Sequence, residues 1–168
     1  MNIRNIALRY ALMIFFGLFL NMFYIVFLPL TIYPVYWLLG IFFTVSLSGA
    51  LLTVNSAQIE LIGACIAGSA YFLLLLLNLS TPKIKIKKRL LIIFFDFSIF
   101  LTINILRIFI LSIMLIKDSA FFAITHQLFW YALSILIAFL IWIFTVKIFR
   151  IKDIPFVSDL KELNKARK

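Results

Sequence analysis

Cysteine and histidine each occur once, at Cys65 and His126, and Asp and Glu together number only six among 168 residues. A single thiol excludes an internal disulfide, a thiolate zinc site and an iron–sulfur cluster held by one chain. A single imidazole excludes a His-rich metal site, and six dispersed carboxylates build neither an acidic tail nor an oxygen cage for a cation. No metal and no cofactor is expected. Charged residues make up 13% of the chain, about half the share of a soluble domain, whereas 65% of the residues are hydrophobic and the mean hydropathy is +1.19. Folded in water, a chain this short would leave much of that apolar surface exposed, since small domains bury only about 60–70% of what they expose when unfolded. The expected solvent is a bilayer.

The expected fold class is all-α: a polytopic transmembrane helix bundle in one integral membrane domain. Spanning takes roughly 20 apolar residues, helical so that the backbone satisfies itself. Five hydrophobic segments qualify, at residues 8–28, 35–54, 61–79, 90–116 and 124–146. Pro29 and Pro34 bound the first two, Ser80, Thr81 and Pro82 end the third, and Trp130, Tyr131 and Trp142 rim the last. Residues 147–168 form a basic tail. The first run is too long for a signal sequence and lacks a small-residue cleavage site after it, so it is expected to be retained.

The net charge of +10 comes from clusters, Lys83–Arg89 and the last 22 residues, which hold twelve of the sixteen Lys and Arg. Basic clusters beside spans report orientation and not nucleic-acid binding. Both are expected in the cytoplasm. With five crossings the N-terminus, carrying Arg4 and Arg9, is then forced outside; if residues 35–54 are re-entrant, it returns to the cytoplasm. Either course puts the start of the third segment, the end of the fourth and the start of the fifth outside.

That topology brings three unusual residues to one membrane face: Cys65 about a turn into the third segment, Arg107 in the outer part of the fourth, and His126 opening the fifth. An intramembrane Arg costs about 2.5–3.5 kcal/mol even on mild scales, so Arg107 must be paired, solvated or snorkelling. Asn104, three residues earlier, shares its helix face. Asp96 shares the azimuth but lies about 16 Å away along the axis, too far to pair. Each residue also has a plain structural role available: a snorkelling Arg, a small buried thiol, an interfacial His, and Glu60 at a helix start. Together, a thiol, an imidazole and a guanidinium would supply nucleophile, proton carrier and oxyanion stabiliser for acyl transfer.

Ala64-Cys65-Ile66-Ala67-Gly68-Ser69, then Asn104-Ile105-Leu106-Arg107-Ile108 within a span, then His126 opening the next, resembles the archaeosortase/exosortase family of membrane transpeptidases. The resemblance covers residues 55–143, and Ile66-Ala67 stands where a Ser-Gly pair is common in that family. It implies Cys65 as nucleophile, Arg107 as stabiliser of the oxyanion or substrate carbonyl, and His126 as general acid/base, with Asn104, Gly68 and Ser69 in support. It further implies substrates that are secreted or surface proteins ending in a short motif, a transmembrane helix and a basic cluster. These are cleaved near the outer membrane face through a thioester and passed to a lipid or other amine acceptor. A different class of function also fits the polar residues: a non-enzymatic membrane subunit or small transporter with a path along Asn104 and Arg107.

Overall fold

The computed structural model describes residues 3–55, 57–129, 133–157 and 159. The expected rim residues Trp130 and Tyr131, and the tail cations Lys161, Lys165, Arg167 and Lys168, lie outside the described residues. The fold is predominantly helical, with one small sheet. Helices α1 (Ile3–Leu18) and α2 (Asn21–Gly40) are followed by strands β1 (Val45–Ser48), β2 (Leu51–Val54) and β3 (Ala57–Glu60). Then come α3 (Gly63–Ile66), α4 (Gly68–Ser80), α5 (Ile86–Ile116), α6 (Phe122–Leu128) and α7 (Ser134–Ile148).

Two of the expected segment boundaries move. Pro29 and Pro34 lie inside α2, because an apolar helix packed among others can lose the two hydrogen bonds that the missing N–H groups would make. Leu20 keeps helical dihedrals (φ −51°, ψ −33°), and Met22 and Phe23 donate to the carbonyls three residues back, so α1 and α2 form one jointed rod.

The larger correction concerns residues 35–54, which are not a helix of their own. They split between the end of α2 and a three-stranded antiparallel sheet ordered β1-β2-β3. Val45-Ser46-Leu47-Ser48 alternates apolar and polar residues, a period of two that a strand uses and a helix does not. Gly49, at φ +61°, opens the two-residue loop that pairs Ser48 with Leu51. Leu52 and Val54 point inward and are fully buried.

Pairwise contacts fix the course of the chain. Arg9 meets Leu79, a Cβ on Gly17 would touch Phe72, and Phe27 stacks on Tyr71 at 3.6 Å, so the α1–α2 rod runs antiparallel to α4. Arg89 donates to Asn78 near one end of α5, and Asn104 donates to Ile66 near the other, so α4 and α5 are also antiparallel. Lys88 reaches Phe149, Asp96 meets Thr145, and Arg107 meets Ser134, which turns α7 back along α5. The bundle therefore has two ends. One holds Arg9, residues 79–89 and Phe149; the sheet, α3, α6 and the start of α7 are at the other.

At the first end, described residues of the basic tail are docked on the bundle. Asp159, 1% exposed, accepts from Arg9 at 2.6 Å, and Asp153 pairs with Lys83 at 3.5 Å. The N-terminal cation Arg9 thus lies at the same end of the bundle as the basic stretch at 83–89.

The core is aromatic and aliphatic, with Tyr71, Phe100, Leu39, Ile92 and Leu74 among its fully buried side chains. Trp142, expected at a membrane rim, belongs to it at 4% exposed. The outer faces are apolar as well: Ile14, Leu18, Ile25, Trp37, Phe94, Leu136 and Phe144 are all exposed. Both α2 and α5 are long and apolar enough to cross a membrane by length and composition.

Candidate active site

Helix α5 buries one stripe, Arg89, Ile92, Asp96, Phe100, Asn104, Arg107, Ile108, Leu111 and Ser112, at helical spacing. Its polar residues at 96, 104, 107 and 112 all fall on this inward stripe. Opposite them, the α3–α4 helix pair is broken at Ala67, a non-glycine residue at φ +56°. In an unbroken helix the Cys65 and Ile66 carbonyls would accept from Ser69 and Ala70. Ala70 N–H instead bonds Ala67 O, and the two freed carbonyls turn to α5.

Side chains from α5 answer them. Asn104 Nδ2 donates to Cys65 O at 3.1 Å and to Ile66 O at 3.4 Å. Arg107 Nη2 donates to Cys65 O at 2.7 Å, and its Nη1 donates to Ser134 Oγ at 2.6 Å. Ser134 in turn donates to Phe129 O at 3.2 Å, and the Phe129 ring lies 5.7 Å from the guanidinium carbon. Arg107 is therefore buried and forked, not snorkelling. Its Nε and the Asn104 Oδ1 are buried without a hydrogen-bond partner. Leaving them so is costly unless a further group completes the set.

A cavity of ≈ 180 Å³ opens beside this fork. Cys65 and Ala64 of α3, Arg107 and Ser112 of α5, His126 and Phe122 of α6, and Gln58 and Glu60 of β3 all line it. His126 is held flat against Phe122, with ring centroids 5.4 Å apart and planes 12° apart. The structure thus places the three sequence-expected residues Cys65, Arg107 and His126 on the walls of one cavity, at the end of the bundle opposite the basic stretch.

Among the supporting residues, Asn104 grips the Cys65 peptide as described. Gly68 has a packing role: a Cβ there would lie 2.9 Å from Tyr24 Cε1, so only glycine admits the Tyr24 ring over the small-residue segment. Ser69 is exposed and does not line the cavity. Asp96 is fully buried and accepts from Thr145, apart from the Arg107 fork. Glu60, expected at a helix start, instead ends strand β3 and lines the cavity; two further contributors, Ser134 and Gln58, were not singled out from the sequence. Ser134 stands out as the one hydroxyl between Tyr131 and Thr145, which is the signal that could have found it. Gln58 and Glu60 lie in a segment whose alternation, once taken as a strand, points to the cavity rim.

No family model matches the chain, and no curated protein or solved structure matches it.

Proposed function

We propose that this chain is a cysteine-dependent membrane transpeptidase of the archaeosortase/exosortase kind, cleaving the C-terminal sorting signal of secreted or surface proteins. The observation that carries this reading is the meeting of Cys65, Arg107 and His126, from three separate helices, on one cavity. In this reading the chain is a multi-pass membrane protein with four traverses, formed by the α1–α2 rod, α3–α4, α5 and α7. The basic end lies in the cytoplasm by the positive-inside rule and the cavity faces outward. The apolar outer faces of the helices support that placement.

Cys65 gives its proton to His126 as Sγ attacks the carbonyl carbon of the scissile amide; the C–N bond breaks and the departing amine takes that proton from His126. An acceptor amine, on a lipid or another molecule, then gives a proton to His126 and attacks the thioester; the C–S bond breaks and the leaving thiolate takes the proton back from His126. Arg107 supplies positive charge where the oxyanion develops, and with Asn104 it fixes the Cys65 peptide so that the nucleophile is presented in one geometry. A transporter path through Asn104 and Arg107 has less support, because both side chains are committed to the Cys65 and Ile66 carbonyls and to Ser134.

The test is processing of a co-expressed secreted reporter ending in a short motif, a transmembrane helix and a basic cluster. Cys65→Ala should abolish cleavage, and His126→Ala should impair it by about 10²-fold or more. Mass spectrometry of the product C-terminus separates an amine adduct from a free acid, that is, transfer from hydrolysis. Normal cleavage by a correctly inserted Cys65→Ala protein would rule the reading out.

A further inference from the structure

The sheet has an unused edge, and it faces the cavity. Leu61 N–H donates to Ala50 O at 2.9 Å, which sets the phase of the β2–β3 ladder. With Leu52 opposite Ile59 and Val54 opposite Ala57, residues 57, 59 and 61 turn their main-chain groups to β2. Gln58 and Glu60 turn theirs the other way. On the far side of the sheet, Asn55 N–H donates to Thr44 O in the same alternation. Among the described residues, the Gln58 N–H, the Gln58 C=O and the Glu60 N–H have no main-chain partner, while the Glu60 C=O accepts from Ile62 at 3.2 Å. Both residues are exposed, and both line the cavity that holds Cys65.

We propose that the outer edge of β3 binds the extended segment preceding the substrate's transmembrane helix, main chain to main chain with Gln58 and Glu60, so that the amide to be cut lies beside Cys65. This rests on the transpeptidase reading. Donor, acceptor and donor spaced along two residues of a strand are complementary to another extended backbone. An unprotected edge is a liability that proteins usually cover or break up. Here it leads in five residues from Glu60 to Cys65, with the apolar side chains Ile108, Leu111 and Leu115 of α5 also lining the cavity. Main-chain pairing fixes the register and direction of a peptide while leaving its side chains to be read separately, which is what a protease acting on one bond of a flexible stretch requires.

Gln58→Pro tests this directly, because the N–H it deletes points to the free edge and not to β2, and proline is tolerated at strand edges. In lipid nanodiscs, the expected result is a rise of about tenfold in KM for the reporter with kcat within about twofold, as lost pairing predicts. Hydrogen exchange on the inactive Cys65→Ala protein serves if Gln58→Pro does not fold. Saturating reporter should slow exchange at Gln58 and Glu60 and leave Ile59, already bonded to β2, unchanged. A wild-type KM for Gln58→Pro, or unprotected Gln58 and Glu60 amides under saturating reporter, would overturn the proposal. So would protection that rises with protein concentration in the absence of reporter, which would mean pairing of two copies. If Cys65→Ala still cleaves, the transpeptidase reading fails, and exchange at these two amides still reports whether the edge takes a strand.

Discussion

Replacing Arg107 by Lys keeps the charge and removes the fork, and so separates two roles that alanine would merge. The guanidinium serves Cys65 O at 2.7 Å and Ser134 Oγ at 2.6 Å at once and lies over Phe129. A single ammonium cannot span both partners in that plane. One charge-assisted hydrogen bond is lost, at about 1.5–3 kcal/mol, and the ring contact weakens by about 0.5 kcal/mol. Asn104 still holds Cys65 O at 3.1 Å, which offsets part of the loss. The net expectation is about 2 kcal/mol, or roughly a 30-fold fall in kcat/KM for the reporter. A double-mutant cycle with Ser134→Ala then asks whether the two arms act together, and a coupling of about 1 kcal/mol is expected for groups in one network. Activity of Arg107→Lys within about twofold of wild type, together with additivity within about 0.3 kcal/mol, would refute the forked role and leave Arg107 a generic cation.

Three further outcomes follow from the packing. Gly68→Ala should destabilise the protein by about 1–3 kcal/mol through the Tyr24 ring, read as a lowered melting temperature in detergent, and Tyr24→Ala in the same chain should make the alanine tolerable. Asp159→Ala leaves Arg9 without its 2.6 Å partner and should cost about 3 kcal/mol by the same measurement, whereas Arg9→Ala combined with it should recover part of the loss. Thr145→Val removes the donor to a fully buried Asp96 and should cost about 1–3 kcal/mol, while Thr145→Ser should restore most of it.

The cavity was more legible in the sequence than the fold around it. Polar residues in an apolar chain are expensive to bury, so Asn104 and Arg107 at a spacing of three had to share an inward face, and the order of hydrophobic runs was enough to bring Cys65 and His126 to the same end. The sheet was missed because residues 35–54 satisfy the length and hydropathy of a span. The alternation at residues 45–48 is only four residues long, and Gly49 reads as a turn only once the strand before it is recognised. Pro29 and Pro34 misled in the opposite direction, since their usual meaning as helix ends holds in water and weakens where neighbouring helices surround the chain. The break at Ala67 had no signal at all. A glycine follows it at Gly68, but the left-handed residue is the alanine, and only the demand of Asn104 and Arg107 for two free carbonyls accounts for the position.

The Arg107 fork also imposes an order on how a newly made molecule becomes competent. Cys65 and its first clasp, Asn104, are separated by 39 residues, but the second arm of the Arg107 guanidinium waits for Ser134, 27 residues beyond Arg107. The bond between Arg9 and Asp159 spans 150 residues. During synthesis, the thiol is therefore translated well before the groups that orient it are complete, and the opposite end of the bundle is closed later still. In the proposed transpeptidase, a half-made chain would carry its nucleophile without its aim, and completion of α7 supplies the last group that orients the thiol.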